Sequence, residues 1–188
     1  MSHDFPLPDD LPEPEDDGAT DHLQGMELPD ISLPTTDGRM VTLRDCAART
    51  IIYIYPLTGR PDRDVIPDGW EAVPGARGCS PESCGFRDQY AELRDRGVEA
   101  VFGLSTQSSE YQREARDRLQ LPFEMLSDAE WELANEIDLP RFAIQGEEYL
   151  KRVTLVIADG RVEHVFYPIF PPDEHASEVL QWITDTPR

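Results

Sequence analysis

The sequence predicts a single α/β domain built on a central mixed β-sheet flanked by helices, and three observations carry that prediction. The apolar run "IIYIY", Ile51 to Tyr55, reads as a buried strand. Strand-like and helix-like segments alternate after it, an order that pairs strands in parallel through helical crossovers. Late in the chain, the Asp-Gly turn in "ADGR" joins two apolar runs into an antiparallel hairpin. At 188 residues the chain is long enough for one domain with a proper core and short for two.

Residues 1–24 alternate Pro with Asp and Glu, a composition that buries too little apolar surface to offset its ordering entropy. They are expected to form a disordered acidic tail, leaving 25–188 as the folded domain. "LPDISLPTTDGRMVTLRD" places two apolar runs around Thr-Asp-Gly and predicts an N-terminal β-hairpin. Thr50 to Tyr55 is the first strong strand. The stretch that follows, "LTGRPDRDVIPDGWEAVPG", has neither strand nor helix period, so 57–76 reads as a long inserted loop. Its Val65, Ile66, Trp70 and Val73 argue that it packs somewhere. Ser80-Pro81 fits an N-cap followed by proline at the first helical position, and Phe86, Tyr90 and Leu93 carry that helix forward until Gly97 stops it. A strand from Val98 to Ser105 follows, then a helix marked by Tyr111, Ala115 and Leu119. Phe123 to Leu126 is a short strand and Ala129 to Ile137 a short helix. Paired strands lie at about Leu150–Ile157 and Val162–Tyr167, and Ala176, Val179, Leu180 and Ile183 line one face of a final helix. The layout is compatible with a thioredoxin-like fold and also with other sheets sandwiched between helices.

Charge narrows the partners. The formal charge is -21, from 38 acidic against 17 basic residues, and Lys151 is the one lysine. Nucleic acid is therefore excluded as an expected partner. A body so acidic and so poor in lysine suits a protein kept soluble at high salt, where self-repulsion is screened. No run approaches the roughly 18 apolar residues that span a bilayer, and the acidic, proline-broken N-terminus is unlike a secretory signal. The expected compartment is the cytosol, where thiols are held reduced and a close cysteine pair points to redox or metal chemistry.

That pair lies in "ARGCSPESCGFRD", where Cys79 and Cys84 are five positions apart at a helix start. In a continuous helix such residues have Cα atoms about 8.6 Å apart, and a disulfide needs about 4.4–6.8 Å. Pairing them requires the first turn to open, which disfavours a permanent staple and suits a switch. Free N–H groups and the positive dipole end favour a thiolate there, so a lowered thiol pKa is expected. Arg77 and Arg87 are candidates to add positive charge, although each alone also reads as an ordinary surface arginine. Zinc would need two further ligands, and Cys46 and four scattered histidines show no paired spacing, so neither metal nor cofactor is expected. Cys46 reads as a buried small hydrophobe, and His164 and His175 as packing or surface residues.

"GCSPESCGFRD", with "VFGLSTQS", "LPFEMLSD" and "RVTLVIADGRVEHVFY", resembles the peroxiredoxins, specifically the bacterioferritin comigratory protein or PrxQ branch, from about Leu28 to the last helix. The resemblance implies a thioredoxin-like fold and a peroxidase. In it Cys79 is the peroxidatic cysteine that becomes a sulfenic acid, and Cys84 resolves it as an intramolecular disulfide. A thioredoxin-like dithiol recycles the pair in a monomer or weak dimer. Arg152, in "KRVTL", matches the arginine that holds thiolate and peroxide, and Glu82 matches the position that fixes this arginine. Without the resemblance, Arg152 reads as a strand-surface ion-pair residue.

Two positions depart from the family motif Pro-x-x-x-Thr-x-x-Cys, since Ala72 and Ala76 stand seven and three residues before Cys79. With 57–76 inserted, Pro56 is expected to keep the proline's role and Thr58 to supply the missing hydroxyl. Trp70 is read either as a cover over the site or as an anchor of the loop. The altered motif also leaves open a peroxide-sensing or holdase-like protein without efficient turnover. The strongly acidic surface favours neutral hydrogen peroxide or small alkyl hydroperoxides as substrate.

Overall fold

The computed structural model describes residues 6–188. Two short strands, β1 (Ser32–Pro34) and β2 (Met40–Thr42), pair antiparallel as the N-terminal hairpin. β3 (Thr50–Ile54) runs through the long loop into α1 (Cys79–Asp95), and β4 (Ala100–Ser105), α2 (Ser109–Leu119), β5 (Met125–Ser127) and α3 (Glu132–Glu136) follow. A second small hairpin, β6 (Arg141–Ile144) with β7 (Glu147–Leu150), precedes β8 (Val153–Ala158), β9 (Arg161–Phe166) and α4 (His175–Asp185). The central sheet has the order β5-β4-β3-β8-β9. β3, β4 and β5 are parallel neighbours, whereas β8 is antiparallel to both β3 and β9.

Strand alternation divides the core between the two faces of this sheet. Ile51, Tyr53 and Tyr55 pack with Phe86 and Leu93 of α1 and with Val179 and Ile183 of α4. Ile52 and Ile54 point the other way, to Leu33, Leu43, Leu133 and Ile137. One glycine is required by this packing. A Cβ on Gly103 would come within 2.4 Å of Met125 Cε and 2.7 Å of the Tyr53 ring. The space left by its absence lets the Tyr53 hydroxyl reach Ser83 Oγ at 3.1 Å, tying α1 to the sheet.

The structure differs from the sequence expectations in four places. Of the tail read as disordered, residues 6–24 lie against the domain: Leu23 is fully buried, and Asp17 is bonded to Lys151 and Tyr167. The composition rule counts only what the segment itself brings, and this segment borrows an apolar surface from the body. Met1 to Phe5 lie outside the described residues. Secondly, α1 begins at Cys79 rather than after a Ser80 cap, because Gly78 takes the N-cap position at φ +111° with no side-chain cap. A Cβ there would sit 2.3 Å from Pro172 Cγ, so the chain can pass only as glycine. Thirdly, β6 and β7 were not expected at all. Fourthly, some element boundaries shift by a few residues, with β4 starting at Ala100 and α3 at Glu132. No helix among the described residues is long and apolar enough to cross a membrane.

Candidate active site

Cys79 opens α1 and is 4% exposed. Its position is fixed by the Gly78 turn and by the first intrahelical bond, from the Glu82 N–H to the Gly78 carbonyl at 3.0 Å. Arg152 lies in the short segment between β7 and β8, immediately before β8, which is the neighbour of β3 in the sheet. Its guanidinium is almost fully buried and makes four contacts at the head of α1. One amino group is bonded to the Glu82 carboxylate. The other lies 3.3 Å from Cys79 Sγ, 3.3 Å from the Ala76 carbonyl and 3.4 Å from the Arg77 carbonyl. The chain thus folds Cys79, Glu82 and Arg152 into one cluster, although Arg152 is seventy-three residues from the cysteine.

The thiol S–H donates to the Ala76 carbonyl at 3.7 Å. Burial pushes the Cys79 thiol up from its ordinary value, against the pull of the Arg152 charge and of the Leu57 backbone N–H, while Glu82 adds to the rise. The lowered value expected from a helix start is therefore not what the closed site gives: removal from water outweighs the positive groups. Burial likewise pushes Glu82 up, with Arg152 opposing it. Burial alone would lower Arg152, but Glu82 and Cys79 more than reverse that and keep it charged.

Cys84 lies further along the same helix, 7% exposed, inside the apolar cluster that holds Tyr53 and Phe86. Burial raises its thiol too, and Arg87 is the chief opposing charge. Both cysteines are free, in an unbroken helix. The Arg77 guanidinium is paired with Glu71, and its carbonyl accepts from Arg152. Arg87 donates to Asp88 and to the Leu119 carbonyl.

Thr58 is buried, but its hydroxyl donates to Gln107 Oε1 at 3.1 Å rather than to a group on α1. The whole residue is held by that glutamine. The Thr58 N–H donates to Gln107 Oε1 at 3.0 Å, and Gln107 Nε2 and the Tyr111 hydroxyl donate to the Thr58 carbonyl at 3.2 and 2.8 Å. This fixes the Pro56-Leu57-Thr58 turn beside Cys79. The sequence reading gives Gln107 and Tyr111 no part in the site: Tyr111 reads only as a helix-face residue, and "VFGLSTQS" contributes to the resemblance without marking Gln107. Trp70 proves to be an anchor: it is 3% exposed, with ring centroids 5.6 Å from Phe142 and 5.0 Å from Tyr149 of the second hairpin.

A cavity of about 480 Å³ opens at Cys79, walled by Leu57, Gly59, Ile66, Arg77 and, from the N-terminal segment, Pro6 and Leu7. His175 is buried with Nε2 2.8 Å from Thr154 Oγ1, and Cys46 is half-buried against the second core face. Among the described residues no three His, Cys, Asp or Glu side chains cluster closely enough to hold a metal ion.

A thiol facing a buried arginine at the first turn of a helix, on a sheet of this order, defines a class as well as a chemistry. A sequence profile of the Redoxin family matches residues 23–181. Peroxiredoxin Bcp of Escherichia coli K12 is 31% identical over 162 residues, which cover 84% of this chain and 92% of that one. The structure of peroxidoxin BcpB from Mycobacterium tuberculosis superposes with a TM-score of 0.70 at 23% identity, over 89% of this chain and all of that one. A structure bearing on the alkyl peroxide reduction activity of the Xanthomonas campestris bacterioferritin comigratory protein superposes with a TM-score of 0.64 at 22% identity, over 85% and 96% of the two chains. The chain belongs to the redoxin family, and within it to the peroxiredoxins of the Bcp/PrxQ branch, with their thioredoxin-like fold.

Proposed function

We propose that this protein is a cytosolic thiol peroxidase that reduces hydrogen peroxide and small alkyl hydroperoxides, acting as a monomer or weak dimer with Cys79 as nucleophile. The observation that carries this reading is Cys79 Sγ 3.3 Å from the Arg152 guanidinium, with the Glu82 carboxylate behind it. A thiolate on Cys79 attacks the nearer peroxide oxygen while Arg152 faces the developing charge. An S–O bond forms, the O–O bond breaks, and the departing oxygen takes up a proton and leaves as water or alcohol. The sulfur is oxidised by two electrons, and the peroxide is reduced by two. The alkyl peroxide reduction activity of the Xanthomonas relative supports this choice of substrate.

Cys84 then attacks the sulfenic sulfur and water leaves, forming an intramolecular disulfide that a thioredoxin-like dithiol reduces by exchange. The helix has to open first, because residues five apart in it stand about 8.6 Å apart, beyond the reach of a disulfide. The Glu82–Gly78 bond and the Glu82–Arg152 pair are what that opening breaks. Thr58 serves in this scheme by holding the Leu57 turn over the sulfur. The test is peroxide consumption with thioredoxin and its reductase: many turnovers per chain are expected. One oxidation per chain without recycling would replace this reading by the peroxide sensor.

A further inference from the structure

The N-terminal segment is the part of the site that the family match, starting at residue 23, leaves out. It has alternating sides. Leu7, Pro8, Leu11, Pro12 and Pro14 are half-buried, while Asp9, Asp10, Glu13, Asp16 and Asp17 face water. Prolines lose little conformational freedom on docking, so a Leu/Pro edge can lie in an apolar groove at small entropic cost. Two anchors hold its downstream end. Asp17 accepts from Lys151 Nζ at 2.7 Å through one carboxylate oxygen and from the Tyr167 hydroxyl at 2.7 Å through the other, next in sequence to Arg152. Beyond it, Leu23 is fully buried and the Gly25 N–H donates to the Val162 carbonyl at 2.8 Å.

Upstream of that clasp the segment crosses the catalytic face. Glu13, Pro14 and Glu15 roof a second cavity of about 470 Å³ whose floor includes Arg152, Phe142 and Ile169. Pro14 passes so close to Gly75 that a Cβ there would lie 3.5 Å from its ring. Leu7 reaches Gly78, where a Cβ would lie 3.4 Å from Leu7 Cδ2, and with Pro6 it walls the cavity at Cys79. Among the described residues, no hydrogen bond ties 6–15 to the body. A segment held by side-chain packing alone, upstream of a firm clasp, lifts at little cost.

We propose that Pro6–Asp17 is a strap that sets the substrate range of the peroxide site: closed, it admits small hydroperoxides to Cys79 and bars bulky ones. This rests on the thiol-peroxidase reading. Pro6 and Leu7 wall the cavity at Cys79, so lifting the strap is expected to increase reactivity in general and reactivity with large reagents most.

The experiment removes residues 1–15, which keeps the Asp17 clasp and the Leu23 anchor, and compares second-order rates with hydrogen peroxide and cumene hydroperoxide. The ratio favouring hydrogen peroxide is expected to fall by about tenfold or more, the scale on which a pocket wall discriminates size. A ratio unchanged within about twofold overturns the strap. Asp17→Asn, read the same way, is expected to shift the ratio in the same direction by less, and it serves should the shortened chain fail to fold. Labelling Cys79 with iodoacetamide and with a fluorescein maleimide, in a Cys46→Ser, Cys84→Ser background, keeps the two readings apart. Should the parent fail to consume peroxide, the peroxidase reading falls, and the labelling ratio still decides the strap: selective acceleration of the maleimide supports it, equal rates refute it.

Discussion

Cys79 and Cys84 share one helix and nearly the same burial, yet they occupy different chemical environments. Burial pushes both thiols up. At Cys79 the opposing charge is a buried guanidinium 3.3 Å away, locked by Glu82 and by two backbone carbonyls. At Cys84 it is the partly exposed Arg87, already engaged with Asp88, in otherwise apolar surroundings. A thiol that is desolvated and faced by a fixed cation is poised to develop negative charge in a transition state. A thiol that is merely desolvated has no such counter-charge, which fits the resolving role proposed for Cys84. The division of labour proposed for the two sulfurs would thus come from what long-range folding places opposite each, since the helix that carries them is common to both.

The largest expected effect breaks the comparison outright. Cys79→Ser is expected to abolish peroxide consumption, whereas Cys84→Ser is expected to react once and accumulate a sulfenic acid, seen by mass spectrometry as one added oxygen. Equal single-turnover rates for the parent and Cys79→Ser would remove the assignment of the nucleophile. Multiple turnovers by Cys84→Ser with thioredoxin would remove that of the resolving thiol.

Arg152→Met sharpens it next. A thiolate is the charged form, so deleting the cation that favours it moves the Cys79 thiol further up. The parent's Cys79 labelling rate is expected to keep climbing as pH rises past about 8.5, the unperturbed thiol value, and the variant's profile to lie further to the alkaline side. At neutral pH the peroxide rate is expected to fall by about 10²–10³-fold, as when one preorganised donor to a developing charge is lost. Cys84 is the internal control, since Arg152 is not among the groups acting on it. A Cys84 profile that moves with that of Cys79 would point to general unfolding instead.

Local signals were legible in the sequence, and long-range ones only through resemblance. The buried pentad at Ile51 became the sheet's centre because five consecutive apolar residues leave few other places to go. The Asp-Gly turn formed as read, with Asp159 and Gly160 at φ +52° and +68°. Arg152 is different: nothing around "KRVTL" says that its guanidinium will be buried against a helix start, and the residues alone favoured a surface pair. The second hairpin passed unread although Gln145 and Gly146 take the left-handed turn conformation, because its strands are short and half-exposed. For residues 6–24 the reason is the opposite one, since the surface they pack on is invisible in their own composition.

The smallest expected effect concerns Thr58, where sequence and structure suggest different roles for one hydroxyl. Read from the motif, that hydroxyl replaces the threonine missing at Ala76 and meets the peroxide directly. In the structure it donates to Gln107 Oε1, while the Thr58 main chain is held independently through its N–H by the same amide oxygen and through its carbonyl by Gln107 Nε2 and Tyr111. Thr58→Ala removes one of these four bonds and leaves the turn fastened by three. Its peroxide rate is expected to stay within about tenfold of the parent, the scale of a single hydrogen bond, whereas Gln107→Ala, which removes three of the four, is expected to cost more. A Thr58→Ala loss as large as that of Arg152→Met would put the hydroxyl on the substrate, and would mean that the bond to Gln107 is exchanged for one to peroxide during turnover.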